Sequence, residues 1–286
     1  MQLSRNAIVM QLLHLPQGYY IHQKLIMYFL AVVCYLTVNV SYAQASLITA
    51  GQYRYFQQDN FGNFYLVNAQ NQIKKVNNKG DSLAIYNDVR RYGDITLIDA
   101  TNPLQVLVWY KDFQTIVVLD RFLNMRTAID LRKQGLFQVS CIALSYDGNI
   151  WLYNELGGNI LKINEAGTPL LTSADVRQAL NAAPSMQFIA DNAGKLCMYD
   201  SASGWWVFDY YGALVKHLPY KNLQFVQVTN QGLWGVEGKQ WLHLKTDSPL
   251  PMAVPLPQGL LDRKIQLQRH ALGWVFLNDN GLWLLP

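Results

Sequence analysis

The chain has 286 residues, of which 51% are hydrophobic, 13% aromatic and 15% charged, and 23 basic side chains stand against 19 acidic ones. A balance this close gives no support for a nucleic-acid partner, which wants a concentrated basic face, and none is expected.

The first element differs in character from the rest. Residues 25–38 run Leu-Ile-Met-Tyr-Phe-Leu-Ala-Val-Val-Cys-Tyr-Leu-Thr-Val, preceded by Lys24 and followed by Ser41-Tyr42-Ala43-Gln44. A basic flank, a short apolar core and small residues at −3 and −1 describe a signal peptide spanning residues 1–43 and cut after Ala43. A retained membrane anchor is the competing reading, but the run falls short of the ~20 residues that a spanning helix needs. Residues 1–23 precede the usual start of such a signal and are a candidate mis-called translation start. The expected mature chain, 44–286, loses Arg5 and Lys24 and no acid, which leaves 21 basic against 19 acidic side chains. Export implies the periplasm, or the outer membrane or cell surface, if the source is Gram-negative. A disulfide between Cys141 and Cys197 is permitted there. Two separately buried thiols, each inside a predicted strand, are the simpler reading.

Residues 44–286 repeat themselves. Asp59-Asn60-Phe61-Gly62-Asn63-Phe64-Tyr65-Leu66, Tyr146-Asp147-Gly148-Asn149-Ile150-Trp151-Leu152 and Asp191-Asn192-Ala193-Gly194-Lys195-Leu196 are each a turn rich in Asp, Asn and Gly that feeds an apolar strand. A second turn follows each one, at Asn77 to Gly80, Asn164 to Gly167 and Asp209 to Gly212. Taking Gly62, Gln105, Gly148, Gly194, Gln231 and Leu272 as equivalent, the steps are 43, 43, 46, 37 and 41 residues. Four short strands with their turns need about that length, which is the spacing of propeller blades. The segments are short, aromatic and β-branched, so the fold class is all-β, a six-bladed β-propeller. One helix is expected, in an insertion at Ser173 to Leu180 with Ser173 as its cap. The sixth unit runs out of chain after three strands. Ser46 to Ala50 is the natural donor of the missing outer strand, and closure by it removes two exposed sheet edges.

The Gly-Asn-aromatic turn resembles those of NHL repeats and of the propeller repeats of bacterial two-component regulators. Blade 1 carries the likeness at Gly62, Asn63, Tyr65, Asn71, Ile73 and Gly80, and blade 3 at Gly148, Asn149, Trp151, Asn159, Ile160 and Gly167. The other blades depart from it, with Gln105 and Leu272 in place of the glycine. The resemblance implies the architecture and carries no activity with it.

Six candidate channel residues follow from the inner strands, each a polar residue between two apolar ones: Arg54, Thr96, Ser140, Gln187, Gln224 and Gln266. Period-two alternation sends them to one side, either to bond one another or to form a polar pore. That ring holds no carboxylate, and a hard cation needs several oxygen ligands. No HExxH, CxxC, GxSxG or P-loop motif is present. Neither a metal, a cofactor nor a catalytic residue is therefore expected. Lys111 and its equivalents at the ends of the second strands read as turn formers or as a polar rim. Asp88-Val89-Arg90, Asp130-Leu131-Arg132 and Asp175-Val176-Arg177 read as ion pairs between blades. Trp205-Trp206 should turn one ring outward into an aromatic patch.

The function these features imply is a non-catalytic binding or scaffold module whose partner is another envelope protein, with membrane contact only through that partner. Arg54, Lys111, Arg177 and the proline-rich connection 249–261 place the expected contact on the face of the inter-blade connections. A channel-centred hydrolase or lyase and a glycan-binding module are the rival classes.

Overall fold

The structure, a computed structural model, describes residues 27–28, 44–87, 91–245, 248, 250–257, 259–260, 266–270 and 272–286. The signal-like segment therefore lies outside the described residues apart from Met27 and Tyr28, and so does Asp88-Val89-Arg90. No helix among the described residues is long and apolar enough to cross a membrane.

Ala45–Pro286 forms one compact unit built from six four-stranded antiparallel sheets. The chain enters through β1 (Ser46–Ala50). Blade 1 follows as β2 (Tyr53–Gln58), β3 (Phe64–Asn68), β4 (Ile73–Val76) and β5 (Ser82–Tyr86), and blade 2 as β6 (Leu97–Asn102), β7 (Gln105–Tyr110), β8 (Thr115–Leu119) and β9 (Met125–Asp130). Blade 3 is β10 (Val139–Leu144), β11 (Ile150–Asn154), β12 (Asn159–Ile163) and β13 (Pro169–Thr172), and blade 4 is β14 (Phe188–Asn192), β15 (Lys195–Asp200), β16 (Gly204–Asp209) and β17 (Leu214–Leu218). Blade 5 is β18 (Gln224–Thr229), β19 (Gly232–Glu237), β20 (Gln240–Leu244) and β21 (Met252–Pro255). Blade 6 has β22 (Gln266–His270), β23 (Gly273–Asn278) and β24 (Gly281–Leu285) from the C-terminal end of the chain, and β1 completes it. Within each blade the strands are lettered A to D from the inside outward.

Closure by β1 is as the sequence implies: Ser46, Leu47, Thr49 and Ala50 pair with Leu284, Trp283, Leu282 and Gly281. Gly281 has φ +146°, and a Cβ there would lie 2.2 Å from the Thr49 carbonyl oxygen, so glycine is what admits the closing strand. The apolar core lies between blades. One cluster joins Trp109 and Ile116 of blade 2 to Ile142 and Leu152 of blade 3, and another joins Trp151 of blade 3 to Met198, Trp206 and Phe208 of blade 4.

The repeated turns have a common mechanism. Asn77, Asp120, Asn164 and Asp209 each accept at Oδ1 the backbone N–H groups two and four residues on. This side-chain mimic of a backbone turn closes the C-to-D hairpin. The position before the fourth residue is left-handed in all of them, held by Gly80, Gly167 and Gly212, and in blade 2 by Leu123 at φ +62°. The blade 2 frame therefore persists without its glycine because the buried Leu123 side chain offsets the backbone strain.

The insertion before blade 4 holds the helix α1 (Val176–Leu180). Its cap is Asp175, whose side chain accepts from the Arg177 N–H. Ser173 is instead spent on Ile160 N and Ala174 O, within the blade.

Candidate functional site

The inner strands place the channel residues differently from simple alternation. Thr96, Ser140 and Gln187 do line the central cavity, of about 230 Å³, but its other polar walls are Gln57, Asp99, Gln227 and Gln268. Arg54, Gln224 and Gln266 leave the ring. Arg54 reaches sideways to the Ile95 carbonyl oxygen at 3.0 Å and to Asn71. Gln266 Oε1 accepts the Phe56 N–H of blade 1 at 2.8 Å, and Gln224 is exposed at the head of its strand. For Arg54 and Gln224 the cause is a register shift at the strand heads, between Tyr53 and Tyr55 and between Gln224 and Gln227, which resets the alternation. Gln266 leaves without a shift, drawn to the backbone of blade 1. The ring also holds a carboxylate, Asp99, whose Oδ2 accepts the Leu144 N–H at 2.7 Å and whose Oδ1 accepts the Thr101 N–H at 2.9 Å.

Antiparallel topology sends the A-to-B and C-to-D turns to one face of the disc, called the turn face, and the B-to-C turns and inter-blade connections to the opposite one. A concavity of about 720 Å³ opens on the turn face and is lined by the A-to-B turns of blades 1 to 4. Its wall is organised by Asp191. Oδ2 accepts from Ser145 Oγ at 3.1 Å, Tyr146 N at 3.2 Å and Trp151 Nε1 at 3.0 Å, while Oδ1 accepts from Tyr210 Oη at 2.5 Å. One carboxylate thus ties blade 4 to blade 3. Burial and the bond to Asp191 push the Tyr210 phenol up, so it remains a proton donor at neutral pH.

Beside this hub, Tyr146 stacks on Tyr210 with ring centroids 5.6 Å apart and planes inclined by 8°. The Lys162 ammonium sits 4.9 Å from the Trp151 ring centroid and 5.2 Å from that of Tyr146, and it pairs with Asp147. Burial alone raises the Asp147 carboxyl, but hydrogen bonds from Lys162, Asn149 and Ser145 outweigh it and hold it at about 2. The aromatic cage is therefore filled by the chain's own cation. The outer rim of the concavity is open and apolar, with Phe61 76% and Tyr146 75% exposed. A neighbouring cavity of about 390 Å³ continues the patch over Leu83, Pro103, Leu104 and Phe122. Phe61, Tyr146 and Asp191 all fall inside the repeated turns, where the sequence shows turn chemistry and gives no hint that three of the turns converge on one cleft.

On the opposite face the expected contact residues are mostly engaged within the chain. Arg177 bonds Asp175 at 2.8 and 2.7 Å, and Arg132 faces Asp130 at 3.4 Å. These pairs lie inside each Asp-x-Arg motif and do not bridge blades, because the aspartate caps the short helical turn that its own arginine enters. Lys111 stays exposed. Trp205 and Trp206 form no patch: both are buried, one in the core toward blade 5 and the other toward blade 3. A blade is covered on both faces by its neighbours, so alternation here chooses between two cores and not between core and water. His217 and His243 stack on Trp206 and Trp234 at 3.6 and 3.8 Å and contact backbone carbonyl oxygens, a structural use of the ring. Cys141 and Cys197 are buried unpaired thiols, each pushed up to about 12 chiefly by burial. Among the described residues no three His, Cys, Asp or Glu side chains gather as a metal site.

No protein-family model matches the sequence, and no curated protein matches it either. Solved structures share its architecture. A streptogramin B lyase is 14% identical with a TM-score of 0.56, covering 80% of this chain and 76% of that one. A catalytically inactive virginiamycin B lyase from Staphylococcus aureus, solved with quinupristin, is 15% identical at TM-score 0.56, covering 81% and 80%. The Pan2 WD40 domain of Neurospora crassa is 9% identical at TM-score 0.59, covering 84% and 80%. At these identities the likeness is one of fold: the chain is a six-bladed β-propeller similar to these proteins in architecture.

Proposed function

We propose that the chain is an exported binding module that engages another envelope protein through its turn face. The observation that carries this reading is the concavity of blades 1 to 4 with its open rim of Phe61 and Tyr146, continued by Leu104 and Phe122. Clustered exposed apolar side chains of this size mark interaction surfaces. The acids of the channel and beside the cleft, Asp99, Asp147 and Asp191, already accept hydrogen bonds from the protein. They therefore favour a rigid wall over acid–base work, which is why binding ranks above a channel-centred lyase or hydrolase. The turn face replaces the opposite face as the proposed contact, since Arg54 and Arg177 are engaged internally there.

A glycan ligand is the second reading, favoured by the exposed Tyr146 ring beside the Asn60, Asn102 and Asn192 amides. Pull-down from native envelope with wild type and with Phe61→Ser/Tyr146→Ser tests both. A protein captured by the wild type and lost by the variant supports the leading reading. Equal capture by both removes it, and a released oligosaccharide in place of a protein substitutes the glycan.

A further inference from the structure

A second cavity on the turn face lies between blades 5 and 6 and has a different chemistry. It encloses about 400 Å³, and Thr229, Asn230, Gln231, Trp234, Arg269 and His270 are among its walls. Among the described residues no carboxylate lines it. The geometry points to a binding site for the carboxylate of a ligand, with Arg269 as its cationic anchor and Thr229 as a second donor.

The Arg269 guanidinium rests 4.7 Å from the centroid of the Trp274 ring and makes no ion pair among the described residues. Its backbone is fixed on both sides by one side chain: Gln227 Nε2 donates to the Arg269 carbonyl oxygen at 2.9 Å, and Gln227 Oε1 accepts the Arg269 N–H at 3.1 Å. The anchor is thus held by the neighbouring blade. A guanidinium lying over a ring leaves its N–H edge free, and that edge matches a planar carboxylate in a two-point contact.

Thr229 adds to this. Its Oγ1 accepts from Gln231 N at 3.2 Å and from Trp234 Nε1 at 3.0 Å. A hydroxyl has two lone pairs and one proton, so with both lone pairs engaged its remaining capacity is to donate. The Asn230 and Gln231 side chains carry no internal bond among the described residues and supply further amide donors. His270 does not add charge at neutral pH, since burial lowers it to about 4. One formal positive charge amid neutral donors suits a monoanion better than a phosphate near −2. The site is separate from the aromatic cleft and does not rest on the partner-binding reading.

The test is a titration of the full mature chain with sodium acetate, followed by backbone and arginine side-chain NMR, with sodium phosphate at matched ionic strength as the second arm. Saturable shifts confined to 227–231 and 269–270 are expected with acetate. Arg269→Gln should weaken binding about tenfold or more, the loss of a charge-assisted pair, while Arg177→Gln on the opposite face leaves it unchanged. Arg269→Lys should recover part of the affinity, because the charge returns without the fork. Shifts that fail to saturate, or that persist in Arg269→Gln, overturn the site. Phosphate binding as tightly as acetate overturns the carboxylate assignment.

Discussion

At the scale of single residues, the account depends on acids that act as struts. Asp191 accepts four hydrogen bonds from two blades, so its removal strands several donors at once. Asp191→Ala should cost about 3 kcal/mol, since a buried unmade bond costs about 1–3 kcal/mol and the groups are coupled. Asp191→Asn should cost only about 1 kcal/mol, because the amide oxygen can serve the three donors of blade 3 and the Tyr210 hydroxyl can turn to accept from the amide N–H. Urea unfolding measures both, and equal losses for the two variants would contradict the strut. His270 supplies a pH test. Its ordinary value of 6.5 is lowered to about 4 by burial, so the unfolded chain takes up the proton first. Its stabilising contribution is complete above pH 6.5 and is lost as pH falls toward 4. His270→Gln should therefore flatten the acid limb of stability by up to about 2 kcal/mol, allowing for partial exposure of the ring. An unchanged limb in urea midpoints between pH 7 and 4 would count against a buried neutral imidazole.

At the scale of elements, the decisive one is β1. It is the D strand of a blade whose other three strands come from the far end of the sequence, so it joins the two ends of the ring. Deleting residues 44–51 should lower the melting temperature and raise the oligomeric state seen by light scattering, because β24 would then present a free edge. A truncated chain that stays monomeric with unchanged melting would contradict closure. The strands themselves are legible in the sequence, since their turns carry Asp, Asn and Gly at fixed offsets from apolar runs. What alternation cannot give is the direction of side chains at the strand heads. The register shifts near Arg54 and Gln224 move the channel positions to Gln57 and Gln227, and no residue type in those segments announces a shift. The helix cap is not legible for a related reason: Ser173 and Asp175 are both good caps, and only the surrounding blade, which takes the Ser173 hydroxyl for Ile160 N, decides between them.

At the scale of the whole molecule, blades are neither inside nor outside by face, which is why both Trp205 and Trp206 are buried. Trp205 and Trp206 look like a half-exposed pair in any two-layer fold, whereas a propeller gives each ring its own inter-blade core. The concavity is equally hidden in the sequence. Asn60-Phe61, Tyr146-Asp147 and Asp191-Asn192 are about 85 and 45 residues apart, and only ring closure brings their turns around one concavity. The opposite face attracts attention in the sequence through its arginines and the proline-rich stretch 249–261, yet its described Asp-x-Arg pairs satisfy themselves, and Met252–Pro255 of that stretch is the D strand of blade 5 and not a connection. The molecule is a propeller rigidified by hydrogen bonds across its blade junctions, with an apolar-rimmed cleft on its turn face that is the proposed partner site.

The measurement that tests the proposed partner site most directly is hydrogen–deuterium exchange of residues 44–286, free and with the protein that the proposed pull-down from native envelope would capture. The account predicts protection at 59–63, 101–105, 145–149 and 191–194, the turns around the concavity. Protection confined to 111–114, 155–158 and 174–182 would place the partner on the opposite face and contradict it.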